Sequence, residues 1–315
     1  MRPDPVAGPF GRVTGQGGGV VAEGHPNNLA LEPRDIETLA YIHSNKFITT
    51  KLFHRKFHPH QSYVTACVHL RALEARGLVM KVRKFQNDDT YYYLPGPVIK
   101  NLSGLARILT SPEFRAPHIN PLERHHDKQV LALRIQIERE GGLEGLTWLS
   151  DYEMRCGLRL DWKRALEEGR GWDLAGAKLR RVYHRTPDGY FEGTLGGQTL
   201  SFALEYENTP YNRDKMVAMV LNLNRDFPEA FKLVVSRDKP HALRMLNGLD
   251  SLVRGDLRSR RRWAFSFFDM VDAVPFTRVP WVTLEQDYLP FVKDPILKLP
   301  LANVPAMEQP KGATA

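Results

Sequence analysis

Three carboxylates carry the clearest chemical signal in the chain: Asp188, Glu205 and Glu207. They lie in the stretch from Pro187 to Thr209, which reads as two strands around Gly196-Gly197, a pair suited to a tight hairpin turn. With a two-residue loop Leu195 faces Gln198, and counting back along both strands sets Asp188 opposite Glu205. Side chains alternate across a strand, so Asp188, Tyr190, Glu192 and Thr194 share a face with Thr199, Ser201, Ala203, Glu205 and Glu207. Phe191, Leu195, Leu200, Phe202 and Leu204 then form an apolar face that packs a core. Like charges directly opposite each other destabilise a sheet. Such carboxylates bind a hard cation such as Mg²⁺, pair with Arg or Lys, or stand in open solvent.

The elements around the hairpin decide what surrounds it. A long helix from about Leu122 to Arg139 carries Val130, Leu131, Leu133, Ile135 and Ile137, apolar nearly all round, and reads as buried against a sheet. His125, His126 and Asp127 near its start read as terminal, solvent-facing polar residues. Gly145 to Leu149 reads as a short strand, and Ser150 can cap a following helix that carries Glu153. Beyond the hairpin, Thr209-Pro210 suits a helix start, with Lys215 on that helix and Val217, Val220 and Leu221 facing inward. Phe231 to Ser236 is nearly all apolar, as a buried parallel strand is. A helix over His241 to Val253 and a strand over Trp263 to Phe268 complete an α/β layer. The basic run Arg258 to Arg262 reads either as a phosphate contact or as a solvated loop.

Earlier in the chain, Pro33 with acidic Glu32, Asp35 and Glu37 suits a helix start, and Ile36, Leu39, Ala40 and Ile42 supply its stripe. A second helix begins at a Thr49 cap and buries Leu52, Phe53 and Phe57. The third runs from Ser62 to Arg76 and is closed by Gly77. Its spacing sets Val64, Cys67, Val68, Leu70 and Leu73 inward and Ser62, Thr65, Ala66 and His69 outward. Leu78 to Lys84 and Thr90 to Leu94 then form a hairpin around Asn87-Asp88-Asp89. His43, His54, His58, His60 and His69 lie on different helices and turns, without carboxylate or thiol at metal-ligand spacing.

At 315 residues the chain has room for two cores, and a charge of +8 favours a polyanionic partner, nucleic acid ahead of membrane. Cys67 and Cys156 are the only cysteines, which excludes a zinc-finger or disulfide framework. No apolar run approaches the roughly 20 residues a membrane helix needs, and the Gly- and Pro-rich start has no signal-peptide core. The expectation is a reduced, cytoplasmic protein that does not engage a membrane.

Three helices, a hairpin and the helix-to-wing junction of Leu70, Leu73, Glu74, Gly77, Leu78 and Val79 resemble the winged helix-turn-helix family over about residues 32 to 97. The resemblance implies that the third helix enters the major groove, with Gln61, Ser62, Tyr63, Thr65 and His69 as base-edge or phosphate contacts. Lys81, Arg83 and Lys84 on the wing, with Arg55 and Lys56, would then contact phosphates regardless of sequence. Pro187-Asp188 followed by Glu205-Tyr206-Glu207, between a helix and a buried strand, resembles the restriction-endonuclease-like PD-(D/E)XK nucleases. The two together look like the replication-relaxation proteins of bacterial plasmids and mobile elements, on Trp148, Glu153, Pro187-Asp188-Gly189, Leu204 to Thr209 and Lys215.

The implied architecture is α/β (α+β overall): a flexible tail over 1–30, a winged helix over 31–97, a linker over 98–120, a nuclease-like α/β domain over 121–287 and a Pro-rich tail over 288–315. The resemblance implies Mg²⁺ held by Asp188 and Glu205, with Glu153 as a third ligand. Where such nucleases keep a lysine, this chain has Glu207, and Lys215 is the candidate replacement. Two functions stay open. In one, the protein binds double-stranded DNA in plasmid replication, relaxation or mobilisation, alone or as a homodimer beside replication or mobilisation proteins, on a scaffold without chemistry. In the other it is a metal-dependent DNA endonuclease using Asp188, Glu205, Glu207 and Lys215.

Overall fold

Helix α1 (Pro33–Ser44) starts on a proline, which has no N–H to leave unpaired there, and turns out of the helix at Asn45 and Lys46. A two-residue strand β1 (Ile48–Thr49) leads into α2 (Thr50–Phe57), whose Leu52 N–H is capped by the Thr49 hydroxyl. Helix α3 (Tyr63–Ala75) is capped by Ser62 through the Thr65 N–H and ends at Gly77, whose φ of 68° suits a glycine. Strands β2 (Met80–Val82) and β3 (Tyr91–Tyr93) pair antiparallel, and β3 also pairs with β1, giving the order β1-β3-β2. The computed structural model describes residues 31–82, 89–99, 123–140, 142–155, 186–208, 212–253, 260–285 and 289.

Helix α3 is rotated from the face its sequence suggests. Ala66, Leu70 and Leu73 are buried, whereas Val64 and Val68 are 66% and 56% exposed and His69 turns inward. The buried stripe follows spacings of four and three from Ala66. Both stripes are apolar, so what α1 and α2 can accept decides between them.

Helix α4 (Arg124–Glu140) is shared by both halves of the fold. Leu131, Ala132 and Ile135 join the core of α1, α2 and α3, while Leu133 and Ile137 pack on a six-stranded sheet. A helix that is apolar nearly all round therefore has a partner on each side.

The sheet runs β4-β5-β6-β7-β8-β9, through Glu144–Ser150, Gly189–Leu195, Gln198–Glu207, Phe231–Ser236, Trp263–Phe267 and Val282–Thr283. The β6/β7 and β7/β8 pairs are parallel and the others antiparallel. The chain is thus a mixed α/β protein. Leu195 pairs with Gln198 across Gly196 and Gly197, whose φ values of 58° and 80° fit the tight turn.

Phe191, Phe202 and Leu204 face α4, as expected of the apolar face. The opposite face, with Ala203, Val234 and Phe265, is covered by α5 (Arg213–Asp226) and α6 (Lys239–Leu252), so little of it meets open solvent. Helix α5 is capped by Asn212; Thr209-Pro210 lies outside the described residues. Met216, Met219, Val220 and Leu223 form its buried stripe, and Leu221 is exposed. A short helix α7 (Phe268–Ala273) follows β8. Leu289, within the segment read as a tail, is buried in the α4-facing core, where its N–H donates to the Trp281 carbonyl. Among the described residues no helix is long and apolar enough to cross a membrane.

Candidate functional site

One end of the sheet gathers the acidic residues. Ser150 at the end of β4 pairs with Gly189 at the start of β5, and Gly189 pairs with Leu204 near the end of β6. One further step of that register sets Asp188 opposite Glu205. Asp188 Oδ2 accepts a hydrogen bond from the Tyr206 N–H at 2.7 Å and lies 3.2 Å from His126 Nε2, which is also 3.0 Å from the Tyr206 carbonyl. On the other side of the imidazole, Nδ1 is 3.7 Å from Asp127 Oδ1.

Lys46 joins the group from the N-terminal half. Its Nζ is 3.0 Å from Asp127 Oδ2 and 4.0 Å from Asp151 Oδ2. Asp151 also accepts from Arg155 Nε at 2.6 Å and from the Thr186 hydroxyl, and its backbone N–H donates to the Asp188 carbonyl. A small cleft is lined by Ser44, Asn45, Lys46, His126, Asp127, Val130, Leu131, Ser150, Asp151, Tyr152 and Asp188.

Helical spacing explains why α4 delivers these groups. His126 stands four, seven and eleven residues before Val130, Leu133 and Ile137, on the sheet-facing stripe. Asp127 stands four and eight before Leu131 and Ile135, on the stripe that faces α1 and α2. Extending each apolar stripe backward by one turn is the signal that leaves both half-buried at the cleft rather than in open solvent. Their reading as solvent-facing terminal residues is therefore corrected. Lys46 reaches the cluster from a left-handed backbone with φ of 68°, a conformation that costs a residue with a Cβ about 1–2 kcal/mol.

The electrostatics follow from this packing. Burial alone would lower the His126 pKa, but the Asp188 carboxylate and the contacts with Asp127 raise it to about 11. Burial also opposes ionisation of Asp127, yet its contact with His126 and the Lys46 ammonium hold its pKa below the usual range. Glu205 goes the other way. Burial first, and the neighbouring Asp188 charge next, push its carboxyl well above the carboxylate range. Burial raises the Asp151 carboxyl too, against the pull of Arg155.

A hard dication needs ionised oxygens turned toward a common point. Here Asp188 Oδ2 is taken by the Tyr206 N–H and faces an imidazolium, and Glu205 is biased toward its neutral form. In this arrangement the His126 imidazole, rather than a cation, faces the Asp188 carboxylate. Among the described residues no group of three or more His, Cys, Asp or Glu side chains has metal-holding geometry.

The remaining sequence candidates are dispersed. Glu153 is part of a capping box: its carboxylate accepts from the Ser150 N–H at 2.8 Å and hydroxyl at 2.9 Å, and Ser150 Oγ accepts from the Glu153 N–H. Glu207 is half-buried at the end of β6, and its charge is felt at Glu205 and His241. Lys215 is exposed in the first turn of α5, while the lysine that lines the cleft is Lys46.

In the N-terminal half, Arg55 pairs with Asp272 at 2.8 Å and Gln136 at 3.0 Å. Lys56 pairs with Glu138 at 2.8 Å and lies over the Tyr41 ring, so both cations brace α2 against neighbouring helices. Gln61 hydrogen-bonds His58, and His69 lies between His58 and Asp35. Ser62, Tyr63 and Thr65 are exposed at the start of α3. Lys81 is exposed and paired with Glu74 at 3.0 Å. Arg83 and Lys84 lie outside the described residues.

Comparison of the chain with protein-family models, with curated proteins and with solved structures found no match.

Proposed function

We propose that the protein binds double-stranded DNA through its N-terminal half and carries the six-stranded domain as a nuclease-like scaffold, its carboxylates neutralised from within. One observation carries this reading. The order α1-β1-α2-α3-β2-β3, with β3 between β1 and β2, leaves residues 61–65 exposed at the start of α3. That is the arrangement in which a winged helix presents its third helix to a groove. The start of a helix also carries partial positive charge, favourable beside phosphate. The excess of eight positive charges supplies long-range attraction to a polyanion.

His126 and Lys46 take the part that a bound metal plays in an active nuclease of this kind: they offset Asp188, Asp127 and Asp151. The resemblance to replication-relaxation proteins supports a role in replication, relaxation or mobilisation of a plasmid or mobile element.

Thr65→Glu tests the docking face. Thr65 is at the third position after the Ser62 cap, where a glutamate completes a capping box and favours the fold. The same charge faces phosphate if α3 enters a groove. Fluorescence anisotropy with a mixed-sequence duplex should show at least about tenfold weaker binding with thermal stability equal to or above that of the wild type. Equal affinity would remove α3 from the interface.

A further inference from the structure

Of the five exposed large hydrophobic side chains among the described residues, Tyr63, Val64, Val68 and Met80 belong to α3 and the strand that follows it. Val64 and Val68 are one helical turn apart on the same face, and exposed Arg71 continues that line three residues later. Among the described residues Arg71 has no ion pair. The single acid on α3, Glu74, is held by Lys81 at 3.0 Å. The strip therefore offers branched methyl groups followed by a guanidinium, with its one carboxylate already paired.

We infer that Val64 and Val68 read thymine C5-methyl groups in the major groove of duplex DNA, beside the Arg71 guanidinium. The inference rests on the duplex-binding reading of α3 and adds which chemical group the helix selects. In the major groove each A·T pair presents a methyl group at the edge a helix approaches, with phosphates on either side. Apolar contact with that methyl removes valine surface from water, and the flanking phosphates suit Arg71. A second copy of this chain fits less well. Packed face to face, it would bury two Arg71 side chains with no carboxylate of α3 left to meet them.

Two duplexes of the same alternating A·T sequence test this, one made with thymine and the other with uracil, which lacks only the methyl. Every base pair then presents the same group, so the register of binding does not matter. Affinities at one fixed salt concentration are compared for the full chain and for the Val64→Ala, Val68→Ala double variant. Both positions are exposed, and circular dichroism verifies that the fold is kept. The wild type should prefer thymine by about three- to tenfold, and the double variant should lose most of that preference. Equal wild-type affinity for both duplexes overturns the methyl reading and leaves duplex binding standing. Binding to neither overturns the functional reading itself. Self-association in light scattering that the double variant abolishes would assign the strip to a second copy instead.

Discussion

His126 Nε2 lies 3.2 Å from Asp188 Oδ2, and the Tyr206 N–H donates to that same oxygen at 2.7 Å. One imidazole thus joins α4 to the end of the sheet at the carboxylate that the PD-(D/E)XK resemblance assigns to a metal.

His126→Asn should lower stability near neutral pH by about 2 kcal/mol, between the effects of breaking an exposed and a buried ion pair. The pH dependence has a definite sign. The folded pKa is raised to about 11 from the ordinary value of about 6.5, so the contribution is fully present below pH about 6.5. It declines as pH rises and is lost through about 11. Denaturant melts from pH 6 to 10 should show the gap between wild type and variant narrowing; a constant gap would contradict the pairing.

His43 sets the opposite limit. It is 1% exposed, and burial lowers its pKa to about 4. The unfolded chain takes up this proton first, so stability falls as pH drops from about 6.5 to about 4, by about 3 kcal/mol in all. His43→Leu should flatten that part of the profile. An unchanged slope would show that another group governs acid unfolding.

Gly189 follows Asp188 for a packing reason. A Cβ there would run into the Trp148 ring, which itself stacks on Phe191 at 4.9 Å. Gly189→Ala should cost about 1–3 kcal/mol by displacing the indole, and the tryptophan emission should change with it. A neutral substitution would mean that the Trp148 stack yields freely.

Lys56→Ala should act on stability rather than on DNA. The ammonium is 2.8 Å from Glu138, a carboxylate that also pairs with Arg134 at 2.7 Å. Its loss should cost about 1 kcal/mol and leave the salt dependence of duplex binding unchanged. A fall of about one in the slope of log K against log salt would return Lys56 to the phosphate contacts.

The hairpin register was legible because Gly196-Gly197 admits a two-residue turn and alternation then assigns every residue to a face. The cap at Thr49 was legible because it makes a local bond three residues on. What stayed hidden depends on elements distant in sequence. The ion pairs of Arg55 with Asp272 and of Lys56 with Glu138 join α2 to α7 and α4, partners far off in sequence. Lys46 and Asp127 are 81 residues apart and meet because α4 packs against both halves. The rotation of α3 is of the same kind, since Val64 and Val68 are as apolar as the residues that pack.

Incubation of supercoiled plasmid with the full chain and Mg²⁺ or Mn²⁺ tests the central claim most directly, with gel migration reporting binding and topology together. Retarded plasmid that stays supercoiled is the predicted result, for wild type and for Asp188→Ala and Glu205→Ala alike. Nicking or linearisation by the wild type that both variants lose would contradict it, and would mean that the His126–Asp188 contact opens to admit a metal.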